Sequence, residues 1–282
     1  MPDANPNIDF FNPQSSQIEI CFFQNLESTH SFAINASWEH RMEKNRLIVI
    51  FADKQTHGYG SHNQIWYSPH TDFHINLIFL ADKMLPFAQL AAITACQHLR
   101  KITGNTFNFQ LKWPNDIFID GQKMGGCLTY IRPWDKGFWI TIGIGLNYNL
   151  KKEDFKQIPQ PTTSLNVLLD KKSPYSLQEI HEDVQAFSDF FIRNLHWYNR
   201  IGADRFFKSC QELWLYLNYN VVIFDEDKHV WVEGIFEGIT EEGFLILTPM
   251  DTHESFHIIN GTKLQLASKQ PENYKDFIEN LL

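Results

Sequence analysis

The chain has 282 residues, 43% of them hydrophobic and 15% aromatic, enough for one large core or for a large and a small domain. A formal net charge of −9 with no Lys/Arg cluster argues against non-specific nucleic-acid binding, and no run approaches the roughly 20 apolar residues of a membrane-spanning helix. Cys21, Cys96, Cys127 and Cys210 are far apart, with no CxxC pair or histidine partner. Neither a zinc site nor a disulfide framework is therefore expected, and with no signal-peptide pattern the default compartment is the cytoplasm.

Residues 1–16 carry three prolines among Asn, Gln and Ser and read as a leader. Ile18 to Phe23 reads as a strand, after which Ser28 or Thr29 caps a helix running to about His40. Hydroxyls at such a start are usually caps only. Arg46 to Ala52 is a β-branched strand that runs into a polar loop, residues 53–66, with glycines at 58 and 60. Gly58 and Gly60 let backbone N–H groups approach a ligand. The pattern is not a dinucleotide fingerprint, because no third glycine opens a helix and His74 to Leu80 again reads as a strand.

Pro86 to Thr103 has helical periodicity, with Gly104 as its stop and with Thr94 and His98 as satisfied packing residues. Leu111 to Leu128 then reads as strand, kink and hairpin, with Asp120-Gly121 at the turn. Lys112 lies beside Trp113 in a segment too apolar for a solvated loop. Either its stem snorkels along the tryptophan, or its ammonium meets an anionic ligand. In Gly137 to Asn149, isoleucines alternate with Thr141, Gly143 and Gly145, a strand pressed against a helix or ligand on its glycine face. Asn147 ends the alternation as a candidate polar contact. Helices are expected at roughly 176–198 and 200–213, and short alternating strands from about Asn218 suggest a small barrel. A short exposed helix is expected at the C-terminus.

Five stretches, QTHGYG with W(Y)SP at 55–69, KWPNDI at 112–117, KMGG at 123–126, IGIGLN at 142–147 and TTSL at 162–165, resemble the biotin protein ligases in order and spacing. The resemblance covers roughly residues 18–268. It implies an α+β fold, a mixed β-sheet with packed helices related to class II aminoacyl-tRNA synthetases and lipoate ligases, over residues 17–214. An SH3-like β-barrel follows over 215–268, and a tail over 269–282. Some members carry an N-terminal repressor domain, for which residues 1–16 leave no room, so the implied protein is a ligase without repressor function.

The implied activity is ATP-dependent formation of biotinyl-5′-AMP, with Mg²⁺, and transfer of biotin to a lysine of the biotin carboxyl carrier domain of a carboxylase. Lys112, matching a family lysine, would neutralise biotin's carboxylate and the α-phosphate of ATP as they meet. The implied biotin site is Ser28, Thr29, Gln55, Gly58, Tyr59, Gly60, Ser61, Lys112, Gly125, Gly126, Gly143 and Gly145. Trp66, Asn115, Asp116 and Asn147 would serve ATP or AMP, with Asp116 a candidate Mg²⁺ ligand. A homodimer is a further candidate partner state.

One departure stands out. Family loops of the GRGRRG type place arginine after the second glycine, where this chain has Ser61, and residues 58–64 hold no arginine. One hydroxyl in place of a guanidinium implies weaker phosphate binding or leakage of the intermediate. Two alternatives follow: a non-catalytic binder of biotin or biotinyl-AMP, and a lipoate or octanoate ligase.

Overall fold

The computed structural model describes residues 17–36, 38, 41–250 and 254–269. The expected leader and all but the first residue of the expected tail lie outside the described residues. β1 (Gln17–Leu26) and β2 (Arg46–Gln55) run parallel. The sheet continues antiparallel through β3 (Phe73–Ala81), β7 (Gly137–Leu146), β6 (Gln122–Trp134), β5 (Asp116–Ile119) and β4 (Gln110–Lys112). This is the mixed sheet expected from the sequence.

The central strands β2 and β3 are covered on both faces, which is why they read as almost continuous apolar runs. In β3, Phe73, Ile75, Leu77 and Phe79 enter the large core, whereas Ile78 joins a small one with Ala33, Trp38, Ile48, Ile50 and Trp139. The large core is roofed by α2 (Phe87–Ile102) and α4 (Leu177–Ile201), the latter opened by a Ser176/Glu179 capping box. Fully buried aromatics such as Phe73, Phe87 and Phe187 each contribute roughly 1.5–3 kcal/mol through burial.

The small core lies under α1 (Thr29–Asn35), which is shorter than the sequence suggested. Ala36 leaves the helix in an extended conformation, φ −76° and ψ 149°, and the chain turns to bury Trp38 beside Ala33. Two further short helices among the described residues are α3 (Leu165–Leu168) and α5 (Ala203–Ser209).

A separate five-stranded antiparallel sheet follows, in the order β11 (Phe256–Ile258), β10 (Leu245–Thr248), β9 (Val230–Ile239), β8 (Asn220–Asp225), β12 (Gly261–Leu266). Its inner residues Val221, Phe236, Leu245 and Ile258 belong to the same large core as the first sheet. No helix of the described residues is long and apolar enough to cross a membrane.

Candidate functional site

Side chains alternate across a strand, so His74 and Asn76 of β3 point away from the large core, on the face that carries α1. On that face is a cavity of about 550 Å³. Its first wall is polar and uncharged. Ser28 caps α1 by accepting from the Ser31 N–H at 3.3 Å, and the Thr29 N–H and hydroxyl both donate to Gln55 Oε1, at 2.8 and 3.1 Å.

A flap closes over this wall. Gly60 N–H donates to Gln64 O and Trp66 N–H to Gly58 O, each at 2.8 Å, and Tyr59 pairs with Ile65. The Ser31 hydroxyl donates to the Tyr59 hydroxyl at 3.4 Å, and Tyr59 meets His30 edge-on with ring centroids 5.8 Å apart. The Trp66 indole lies against Gly145, where an added Cβ would fall 2.8 Å from the ring; a side chain there would displace the tryptophan.

The opposite wall comes from β5 and β6. Lys123 Nζ sits 2.7 Å from Asp116 Oδ1 and 5.8 Å from the Trp66 ring centroid. Asn115 donates through its side chain to Cys127 O. The segment after β7 supplies Gln157 to Gln160 and Thr162. It is tied to the cavity floor by Asn147, whose N–H donates to Met124 O at 2.9 Å and whose amide donates to Thr163 O at 3.0 Å.

Of the residues singled out from sequence, Ser28, Thr29, Gln55, Tyr59, Gly60, Ser61, Trp66, Asn115, Asp116, Gly126, Gly143, Gly145 and Asn147 line the cavity. Gly58, Lys112 and Gly125 are not part of its lining. Gly58 supports the flap from behind, and Gly125 allows β6 to lie close to β7, since a Cβ there would come 2.6 Å from Gly145 O. Lys112, opposite Asp116 in the β4–β5 register, holds Nζ 5.1 Å from the Phe118 ring centroid. Burial lowers its pKa, with the Asp116 charge opposing and the Lys123 charge reinforcing that shift.

Sequence reasoning passed over several residues of the cavity lining. Lys123 lines the cavity, and its signal was its place two residues before the Gly125-Gly126 pair. His30 and His74 also line it, and Asn76 lies behind them, fully buried. Their signal was a histidine and an asparagine two residues apart in an otherwise apolar strand. Burial lowers the pKa of His30 and of His74 to about 4 each, so both imidazoles are neutral at neutral pH.

Asp116, the proposed Mg²⁺ ligand, is engaged by Lys123, and the described residues contain no group of three ligating side chains that suits a metal ion. The four cysteines are free.

Comparison with known proteins bears on this arrangement. Biotin–protein ligase 2 of Arabidopsis thaliana is 26% identical over 257 residues, covering 82% of this chain and 74% of that protein. The bifunctional ligase/repressor BirA of Bacillus spizizenii is 34% identical over 125 residues, 42% of this chain and 38% of that protein. Among solved structures, the biotin protein ligase from Aquifex aeolicus in complex with biotin and ATP superposes with a TM-score of 0.67 at 20% identity, covering 88% of this chain and 99% of that one. This likeness shows the shared fold. Residues 22–147, which run from β1 to the end of β7 and carry most of the cavity lining, match the model of the Biotin/lipoate A/B protein ligase family.

Proposed function

We propose that this chain is an ATP-dependent biotin protein ligase. It joins the carboxylate of biotin to the α-phosphate of ATP, releasing pyrophosphate. It then passes the biotinyl group from biotinyl-5′-AMP to a lysine amine of a biotin carboxyl carrier domain, releasing AMP. The observation that carries this reading is the polarity of the cavity. An uncharged hydrogen-bonding set, Ser28, Thr29 and Gln55, stands at one side and the Lys123–Asp116 pair at the other. The strands bearing Gln55 and Lys123 are three sheet spacings apart, roughly 14 Å at about 4.8 Å each. Such a cavity suits a long acid with a polar neutral head and an anionic end.

The first half-reaction brings two anions together, and their repulsion must be offset before a bond forms. The Lys123 ammonium is the positive charge at that end, and its pairing with Asp116 at 2.7 Å holds it in place. Lys123 can donate to the carboxylate and to the phosphate oxygens as charge shifts between them, which stabilises the transition state more than the separate substrates. We assign this role to Lys123, and to Lys112 the support of Asp116 from the neighbouring strand. Trp66 and the flap exclude water from a mixed anhydride that would otherwise hydrolyse. In transfer, the amine attacks the acyl carbon and Lys123 stabilises the departing AMP.

The finer parts of the proposal are these. Residues 17–214 form the ligase unit and 215–268 an SH3-like barrel built on the five-stranded sheet. Mg²⁺ arrives on the phosphates of ATP as part of the substrate, and no step is routed through a metal held by the protein. The reaction takes place in the cytoplasm, and a homodimer through the β1 edge is the candidate assembly.

A non-catalytic binder is favoured by one feature only, the arginine-free flap with Ser61 at the cavity. Lys123 at the anionic end favours the ligase, since binding alone does not require an ammonium where atoms react. Biotin-dependent exchange of labelled pyrophosphate into ATP is the test. Exchange is expected with biotin and absent without it; biotin binding with no exchange would leave a binder.

A further inference from the structure

Within the proposed ligase reading, on which this inference rests, the chain must keep its activated intermediate until the acceptor amine arrives. Residues 58–64 of the flap contain no arginine or lysine, so the flap does not hold an adenylate's phosphate through such a cation. Retention then depends on how closely the two covers of the cavity meet. Those covers are the flap, ending at Trp66 and Tyr67, and the Gln157–Gln160 segment.

Both covers leave the sheet at one end of neighbouring strands. Phe73, the first residue of β3, lies opposite Leu146, the last of β7. Beyond that point the two chains stay fastened side by side. Asp72 accepts from the Tyr148 and Asn149 N–H groups, and the Asn149 amide donates to Thr71 O at 2.8 Å. Next comes His70 Nε2 against Asp154 Oδ2 at 2.9 Å. The same oxygen accepts from the Lys151 N–H at 2.8 Å, so Asp154 is seated by its own turn where it meets His70. Past this pair the chains part. One runs back four residues to Trp66, and the other runs forward through a 3₁₀ turn at Asp154–Gln157 to the wall.

The pair differs from the anchors inside it. Asp72 and Asn149 are buried and bind backbone groups, and they already order the start of each connection. His70 and Asp154 join side chain to side chain at 32% and 12% exposure, and neither lines the cavity. We propose that the His70–Asp154 pair is a clasp that fixes the flap and the Gln157–Gln160 wall to one another, and so sets how slowly an acyl-adenylate escapes. Both are positioning residues, acting through Trp66 and the wall rather than on the ligand.

The test loads the chain with labelled biotinyl-5′-AMP, adds an excess of the unlabelled compound and follows release. It compares the native chain with His70→Ala, Asp154→Ala, the double alanine variant and His70→Gln. Release about tenfold faster is expected in each alanine variant, in keeping with loss of one hydrogen bond to a charged group. The double variant should release no faster than the faster single variant, because both substitutions remove one shared interaction. His70→Gln, whose amide can donate in place of Nε2, should stay close to native. Biotin affinity by calorimetry should stay within about twofold throughout. A merely structural pair would lower the unfolding temperature and leave release unchanged.

Native release from folded His70→Ala would overturn the inference. So would effects that multiply in the double variant, a glutamine variant as leaky as the alanine one, or biotin affinity that falls in step with retention. His70 is the more exposed of the two, so its variants decide the matter should alanine at position 154 prevent folding. Those outcomes leave the ligase reading standing, which pyrophosphate exchange tests separately, whereas a native chain that does not bind biotinyl-5′-AMP would overturn both.

Discussion

At Gly145 the absence of a side chain is a positional requirement. An added Cβ would sit 2.8 Å from two atoms of the Trp66 indole and close to its Nε1, so Gly145→Ala pushes the indole out of its place over the cavity. Overpacking of this kind costs typically about 1–3 kcal/mol, and here it is expected to appear as biotin affinity weakened by roughly tenfold or more in calorimetry. Unchanged affinity would mean that Trp66 does not seat the ligand. The residue scale is also where sequence reading reached its limit. The motif KWPNDI…KMGG located the right hairpin, but which of its lysines faces the cavity depends on pairing. A register shift between Ile117 and Phe118 in β5 changes which side chains share a face, and nothing in the residue order announces it. Hence Lys112 stood out for its neighbours Trp113 and Pro114, while Lys123 is the lysine at the cavity.

At the scale of elements, the central strands were legible because burial on both faces imposes apolar runs, α2 because of its periodicity and α4 because periodicity and its capping box agree. The long connection after β7 was not, because its course is set by buried polar anchors distant in sequence. Asp72 is 1% exposed and accepts from the Tyr148 and Asn149 N–H groups at 2.6 and 2.5 Å. His70 Nε2 and Asp154 Oδ2 pair at 2.9 Å farther along the same connection. These contacts stake out the segment that supplies the Gln157–Gln160 wall. Burial raises the Asp72 pKa to about 8; its two backbone hydrogen bonds oppose the rise, and the Asp154 charge adds to it.

A carboxyl whose folded pKa exceeds its unfolded value binds more protons when folded. Its contribution is therefore present below about pH 4 and is lost as pH rises through about 8. The lowered pKa values of His30 and His74 act in the opposite direction, withdrawing stability as pH falls from about 6.5 towards 4. The informative quantity is therefore the difference between native and Asp72→Asn, which keeps an acceptor for the backbone groups. Thermal unfolding from pH 5 to pH 9 should show the variant gaining on native as pH rises. A difference independent of pH would place the Asp72 titration outside this range.

Over the whole molecule, the two sheets share one core and meet behind the site. Trp113, read in the sequence only as a neighbour of Lys112, donates through Nε1 to Gly243 O at 2.9 Å, and Gln89 donates to the same oxygen at 3.2 Å. Leu215 N–H donates to Leu111 O at 2.8 Å. On the cavity side, His62 of the flap lies 3.9 Å from Glu226 of the second sheet's β8–β9 turn. The change of texture near Asn218 marked the second sheet correctly but said nothing of this joint, which is made by single residues far apart in the chain. The consequence is that β4, which carries Lys112 and precedes Trp113, is held from the far side by the second sheet, while Lys123 is presented to the cavity from β6, two strands away.

The most direct measurement is transfer of labelled biotin to a biotin carboxyl carrier domain with ATP and Mg²⁺, comparing the native chain with Lys123→Ala and Lys112→Ala. Transfer by the native chain, a loss of about 10²–10³-fold in Lys123→Ala and a smaller loss in Lys112→Ala are the predicted results. An inactive native chain, or a Lys112→Ala defect deeper than that of Lys123→Ala, would contradict the assignment of the reacting end of the cavity to Lys123.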